Sequence, residues 1–451
     1  MLSLAGAVSV VLAGNTRAQD FFRDYGTSRS SGGIGPVIAS EYTYRDTVPS
    51  GMADLQPLTP EERSEQDDQY NFAIGPVRFG IAAGFGVEFN DNITLSEDDR
   101  ESDIILRPSL NVTASMPLSD VNTLRFNMGV SYAKYLSHSE YDSKGLLFSP
   151  NSELELKFQL GPVELTLRDR FSYQEEAYDI PQLSDVAVYR RYENQIGFQA
   201  AWAINQSLTL TAGYDHYNLW TVDDEFSSEE RAIDTIFVKP TLLIAPGVTV
   251  GLNVAWSFIN FETDERQDGD SLLVGPLVEW QMSEVTSLYF EVGFQQIKFD
   301  GTSRFDNDFF AELDEEERAL FGDDEDSTSY YFKLELANRP TEFLEHSFTA
   351  SKTAEIGFGS NYYDLYHFEY TARWKIVQGW ELGTSLFYEL YETSGSFNEE
   401  GWRAGAAVGV RRNLSNSITL GLDYRFLMKD SNLEDADYYQ NLVFLSVHYK
   451  F

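Results

Sequence analysis

Residues Asn441–Phe451 read NLVFLSVHYKF. Val443, Leu445, Val447, Tyr449 and Phe451 take alternate positions, with polar Ser446, His448 and Lys450 between the last of them. A period of two sends successive side chains to opposite faces of an extended chain, so the stretch predicts a β-strand with one apolar face. A protein with a formal charge of −39 gains nothing by ending on such a face in water. What that face meets is decided by the rest of the chain.

The same grammar fills the sequence from Val77 onward. Val77, Phe79, Ile81, Ala83, Phe85, Val87 and Phe89 alternate with Arg78, Gly80, Ala82, Gly84, Gly86, Glu88 and Asn90. Ile104, Leu106, Leu110, Val112 and Ala114 then alternate with Arg107, Ser109, Asn111 and Thr113, and Leu124, Phe126, Met128 and Val130 with Arg125, Asn127 and Gly129. Tight connections at Pro117, Gly161, Ile204, Ala245, Ser283, Asn338, Val377 and Leu414 take turns with longer polar ones such as SHSEYDSKG and TVDDEFSSEE. This alternation predicts about 18 antiparallel strands, an even number with both chain ends on one side; the polar run Leu344 to Ala354 leaves 16 as the lower count.

Composition narrows the function. Asp and Glu outnumber Lys and Arg by 72 to 33, which excludes a phosphate-binding surface and hence nucleic acid as a partner. Cysteine is absent, so disulfides, thiolate metal sites and cysteine nucleophiles are excluded. No run of 18 or more apolar residues offers a helical membrane span.

Packed sheets in a soluble protein also alternate, so the choice of solvent rests on length and on aromatic placement. Nearly every run is about ten residues long, the span a tilted strand needs to cross lipid. Trp202, Trp280, Trp374 and Trp380 fall beside short turns on the apolar face, and Trp256, Trp402, Tyr388 and Tyr424 fall towards long connections on that face. Amphipathic rings settle at headgroup level, so the two sets predict two interfacial belts. Unpaired amides are too costly in hydrocarbon to leave at an edge, and the sheet must therefore close into a barrel. The expected fold is an all-β transmembrane antiparallel up-and-down β-barrel over 77–451. It follows a secretory signal over 1–18, which lacks the usual basic n-region, and a flexible polar segment over 19–76.

A barrel of this size has a wet bore, and the polar parity supplies its wall. Lumen-lining candidates are Arg107, Arg125, Glu153, Glu155, Arg168, Arg170, Glu291, Glu335, Arg403 and Arg425. Asp169 breaks the pattern by falling on the lipid-facing parity of VELTLRDRFSY, which predicts a local bulge or a shifted phase. The stretch Asp306 to Gly322, DNDFFAELDEEERALFG, has helical spacing in the longest connection; Phe309, Phe310, Leu313 and Leu320 are candidates for seating it at the mouth.

The end of the chain resembles the last strand of bacterial outer-membrane β-barrel proteins, which ends in Phe after alternating apolar or aromatic residues; Tyr449 and Phe451 match it. That resemblance implies recognition by the outer-membrane assembly machinery and a bacterial outer-membrane location among lipid and lipopolysaccharide. GVEFNDNITLS from Gly86 to Ser96, followed by IILRPSLNVT from Ile104, is similar over about 40 residues to the first hairpin of the porin 2-like group of β-barrel proteins. Some relatives in that group are associated with exopolysaccharide systems, and no functional residue carries over from it.

Catalytic motifs are missing. The five histidines, His138, His216, His346, His367 and His448, sit in no HExxH, GxSxG or P-loop context, so neither an enzyme nor a bound cofactor or metal is expected. Loop acids, among them Asp223, Asp224, Asp264, Asp268, Asp270, Asp323, Asp324 and Asp326, show no EF-hand spacing and read as solubilising charge. Their summed field favours cations at the entrance. The expected function is a porin-like channel for passive diffusion of small hydrophilic solutes with a weak cation preference; the alternative is a non-transporting barrel serving a structural or exopolysaccharide-export role. Oligomeric state stays open.

Overall fold

The computed structural model describes residues 70–451 except 120, 178–179, 264, 302–322, 324 and 396–397. Residues 1–69, which hold the expected signal and most of the expected polar segment, lie outside it. So do Phe309, Phe310, Leu313 and Leu320 of the expected mouth helix.

Eighteen long strands carry the fold: β1 (Val77–Asn90), β2 (Asp103–Pro117), β3 (Thr123–Ser131), β4 (Glu153–Leu160), β5 (Val163–Gln174), β6 (Arg191–Ala203), β7 (Leu208–Thr221), β8 (Arg231–Ala245) and β9 (Val248–Phe261), then β10 (Gly269–Ser283), β11 (Thr286–Phe299), β12 (Ser327–Thr341), β13 (Leu344–Ile356), β14 (Tyr362–Val377), β15 (Trp380–Thr393), β16 (Glu400–Asn413), β17 (Ile418–Ser431) and β18 (Tyr438–Lys450). The run from Leu344 is a strand, which settles the count at 18 over 16. Each strand pairs antiparallel with the next, through tight turns at one end and long connections at the other. In the turns after β4, β8 and β14, Gly161, Gly247 and Gly379 hold φ of +63°, +75° and +76°, a left-handed geometry that costs other residues a Cβ clash.

β18 returns to pair with β1, from Ala82↔Lys450 to Asn90↔Leu442, so the sheet has no free lateral edge there. Below Ala82 a short strand, Phe72–Ile74, turns back at Gly75 and covers β1 from Val77 to Phe79. The Asn71 side chain brackets Ile81, donating to its carbonyl at 2.6 Å and accepting from its N–H at 3.2 Å. Residues 71–74, within the segment expected to be polar and flexible, thus complete the seam beside the C-terminus. The structure is a closed 18-stranded transmembrane barrel.

Its packing is inverted relative to a soluble protein. Trp256, Leu386 and Leu445 stand 50–57% exposed, whereas Arg403, Glu389 and Lys239 are 0–1% exposed. The two aromatic sets fall on the outer wall as expected: Trp202, Trp280, Trp374 and Trp380 at the short-turn end, Trp256, Tyr388 and Tyr424 at the other. Such a surface is solvated by acyl chains rather than water, which is why 42% hydrophobic residues suffice for a membrane protein whose charge points inward.

Two strands depart from the simple pattern. β5 pairs in continuous register with β4 and β6, without the bulge expected at Asp169; that residue faces outward and accepts a hydrogen bond from Asn194 at 2.7 Å. β13 leaves β12 after Lys352, although it stays paired with β14 to Ile356. The freed backbone of Ala354 is met from inside by Gln295 of β11, whose side-chain amide donates to the carbonyl at 2.8 Å and accepts from the N–H at 3.0 Å. The upper half of β13 therefore leans into the bore, where Ala354 and Ile356 pack with Tyr217, Ile233, Ile259 and Ile297. Outside it, the Tyr330 and Tyr366 hydroxyls meet at 2.8 Å over buried Lys352, which donates to Asp364 at 2.7 Å.

Candidate functional site

Among the described residues the inward parity of the sheet gathers most of its buried charge. Arg107 donates through Nε to Glu88 at 2.7 Å and reaches Glu176 at 3.5 Å. Arg125 lies 3.6 Å from Glu155 near the short-turn end, half-exposed. Glu153 pairs with Arg170, and Arg168 with Asp215 at 3.6 Å. Glu291 gathers the Tyr331 hydroxyl at 2.5 Å, the Asn253 amide at 2.9 Å and the Tyr289 hydroxyl, with buried Glu335 two positions along the same face of β12 from Lys333. Arg403 grips Glu389 with Nε at 2.9 Å and Nη2 at 2.6 Å, and His367 faces the other oxygen of the same carboxylate at 3.0 Å. Arg425 donates to Gln440 at 2.9 Å.

Arg107, Arg125, Arg168, Arg170 and Arg403 stand in separate opposite-charge pairs around the wall, which cancel charge locally, and hydrogen bonding offsets the desolvation that burial imposes. Glu291 and Arg425 are instead met by the neutral groups of Tyr331, Asn253 and Gln440.

The part that the strand pattern does not reveal lies at the long-connection end. Residues 175–177 and 180–190, between β5 and β6, fold inward. Ala177, Leu183 and Tyr189 from this connection bury against Leu95, Phe226, Leu427 and Tyr438, flanked by Ile180, Val186 and Phe358. Those partners come from the connections after β1, β7 and β13 and from β17 and β18, so one apolar knot ties together chain from all around the mouth. Tyr189 meets Phe226 edge-on at 4.9 Å between ring centres and Phe358 at 5.5 Å. Burial lifts the Tyr189 phenol above its usual pKa, so it stays neutral in the knot.

Polar ties lock the knot. Arg266, fully buried in the connection after β9, reaches Glu229 at 2.6 Å and the carbonyls of Gly357 and Ser360 at 3.0 and 2.7 Å, joining three connections. Burial pulls its guanidinium down to about 10 against the opposing pull of Glu229, so the group remains charged at neutral pH. Ser184 donates to the Ala436 carbonyl at 2.9 Å and accepts from Lys429 at 2.8 Å. Two acids read as solubilising turn out to be internal struts. Asp323 accepts from the Asn361 N–H at 2.7 Å and the Ser394 hydroxyl at 2.6 Å, and Asp223 bridges Lys144 at 2.6 Å and Arg190 at 3.2 Å. A sequence signal for the knot existed: Ile180, Leu183, Val186 and Tyr189 are too apolar for a connection exposed to water.

No family model matches the chain, and no curated protein matches it significantly. Among solved structures it is similar to OpdK of Pseudomonas aeruginosa with vanillate, at 10% identity over 83% of this chain and 99% of that one, TM-score 0.44. It is similar to OccK2 (OpdF) of the same organism in complex with glucuronate, at 10% over 84% and 100%, TM-score 0.45. A BenF-like porin from Pseudomonas fluorescens Pf-5 gives 10% over 83% and 99%, TM-score 0.45. At such identity and TM-score these likenesses add nothing to the barrel that strand pairing establishes.

Proposed function

We propose that the chain is a channel of the bacterial outer membrane for small hydrophilic solutes, with its outer mouth stopped by the inward knot in the state described. The observation that carries this reading is the combination of a charge-paired lumen wall, as at Arg403–Glu389, with a mouth knot built from side chains such as Tyr189 and Phe358. Passage then requires the 175–190 connection to move aside. The acidic excess of the chain favours cations at the entrance, because uncompensated surface charge concentrates counter-ions near a pore. Asp223 contributes little to that field, since Lys144 and Arg190 offset its charge. Titratable groups meet in pairs without a nucleophile motif, which supports transport over catalysis.

A second reading, a non-transporting barrel that serves as a structural or exopolysaccharide-export partner, is favoured by the same knot if it never opens. Swelling of liposomes carrying the refolded protein separates the two. Sugar-driven swelling that rises on removal of 180–187 supports the channel; no swelling with either protein, both folded, supports the sealed barrel. A salt-gradient reversal potential favouring chloride would contradict the cation preference. Assembly through Tyr449 and Phe451 belongs to the same proposal.

A further inference from the structure

Between β12 and β13 strand pairing stops short of the long-connection end. β12 pairs with β11 up to Ser327↔Ile297 and β13 with β14 up to Ile356↔Tyr362, yet they pair with each other only as far as Phe332↔Lys352. Residues 327–331 and 353–356 therefore leave a break in the ladder, which a membrane wall tolerates only where protein covers the backbone or where it borders a cavity. Side chains fill the break. Lys352, 2% exposed, donates to the Ser329 hydroxyl of β12 and to Asp364 of β14 at 2.7 Å, with its ammonium 5.3 Å from the centre of the Tyr330 ring. The Tyr330 and Tyr366 hydroxyls meet over it at 2.8 Å, joining β12 to β14.

One face of β13 runs through this break from lipid to bore. Phe348, Ala350, Ala354 and Ile356 share a parity that Lys352 interrupts. Phe348 faces outward and is 39% exposed, whereas Ala354 and Ile356 lie against an inner row made by Tyr217, Ile233, Ile259 and Ile297, each at most 2% exposed. Tyr331, in the break itself, packs with Phe237, Ala255 and Leu273 on the same inner wall. That wall is thus apolar where it adjoins the break, unlike the charge-paired wall at Arg403–Glu389. The end of β13 is held on the row by apolar contacts and by the Gln295 side chain, which brackets the Ala354 backbone at 2.8 and 3.0 Å. No ladder with β12 resists its displacement there. A hydrocarbon chain suits the surface that Ala354 and Ile356 cover, because the same surface bared to water is unfavourable.

We propose that the β12–β13 break is a lateral portal through which the acyl chain of a membrane amphiphile reaches the inner wall, taking the place of Ala354 and Ile356 on the row. The Lys352–Asp364 pair and the Tyr330–Tyr366 bond are its latch, and the end of β13 moves deeper into the bore once Gln295 lets go of Ala354. The portal rests on the barrel standing in lipid and not on any opening of the mouth, so it adds a route for amphiphiles to the path for hydrophilic solutes.

The test is photolabelling of the full chain in phosphatidylethanolamine vesicles that include a phospholipid with a diazirine near the end of one acyl chain. Label is expected on Ile259 and Ile297 of the inner row as well as on outward Leu386 and Leu445. The ratio of inner to outward label is expected to rise severalfold in Y330F/Y366F, which lacks the bond across the break; if its heat-modifiable band on gels is lost, Q295L, which frees Ala354, replaces it. Inner label that fails to rise in the folded variant, including its absence from both proteins, overturns the proposal. So does inner label obtained from free diazirine-bearing dodecanoate but not from the phospholipid, which routes the chain through the bore. Absence of label from Leu386 and Leu445 would refute the transmembrane reading, and the portal with it.

Discussion

The ring of Tyr189 meets that of Phe358 at 5.5 Å, although the strands flanking their two connections, β5–β6 and β13–β14, stand nearly opposite in the barrel. A contact between such distant parts of the rim exists because both connections turn inward. Replacing both rings by Ala removes an edge-to-face pair and its apolar burial, about 3–5 kcal/mol for each large aromatic lost from a packed site. The expected outcome for Y189A/F358A is faster sugar-driven liposome swelling with an unchanged heat-modifiable band. Swelling equal to wild type would assign the closure elsewhere.

Arg266 predicts a different kind of loosening. Its removal takes from buried Glu229 the nearer of two arginine partners, leaving Arg231 at 3.3 Å, and takes the donor from the Gly357 and Ser360 carbonyls. Breaking one contact of a buried charge cluster is strongly destabilising, about 3–5 kcal/mol for an isolated pair and less here because Arg231 stays beside Glu229. R266M is expected to make the 357–361 and 223–230 connections protease-sensitive. Equal cleavage of wild type and R266M would contradict the strut.

Acid should release the mouth through Asp223. Burial raises the carboxyl, but Lys144 and Arg190 outweigh it and hold the pKa below its ordinary value. A group with a depressed folded pKa contributes its stabilisation above the unfolded value and loses it as pH falls through the folded one. Protection of buried Arg190 from modification or cleavage is therefore expected to be greatest at neutral pH and to fall below about pH 4. D223N should show the low-pH behaviour at every pH; a D223N profile that matches wild type would refute the linkage.

Within the wall, Arg403 and Glu389 give the sharpest contrast. R403L strands a carboxylate that is 0% exposed, with a destabilisation of about 3–5 kcal/mol expected, while R403L/E389L should cost much less. The midpoint of urea unfolding from detergent or lipid measures both. A double variant as unstable as R403L would mean that His367, which also faces Glu389, carries more of the energetics than the pair does.

The seam offers the remaining prediction. Phe451 donates its N–H to the Ile81 carbonyl at 3.1 Å, and its ring meets Tyr449 at right angles, 5.1 Å between centres. Removing Phe451 takes one closing hydrogen bond and an apolar ring from the edge where β18 meets β1. Lower yield of folded barrel in membranes is expected, and undiminished yield would contradict the role of the C-terminal signature.

The strands were legible because lipid outside and water inside impose a period of two along the whole wall. Asn441–Phe451 shows both faces within eleven residues. β13 read weakly for a physical reason: its upper half leans inward, so the lipid that enforces apolar alternation elsewhere does not face Thr353–Ile356. The mouth was illegible because a connection has no period. Ile180, Leu183, Val186 and Tyr189 find their partners through tertiary packing with Leu95, Phe226 and Phe358, and no spacing in the sequence announces those meetings. Lumen pairing lay between these extremes: parity put Arg403 and Arg425 inside, but only strand register tells that Arg403 stands opposite Glu389.

The central claim is that the bore is a water path stopped at one end by a movable connection. The chain has no cysteine, so S184C/A436C introduces a single pair where Ser184 now hydrogen-bonds to the Ala436 carbonyl. Single-channel recording before and after reduction tests the claim directly. The account predicts silence while the disulfide holds and conducting openings once it is reduced; identical traces in both states, from protein shown to form and lose the disulfide, would contradict it.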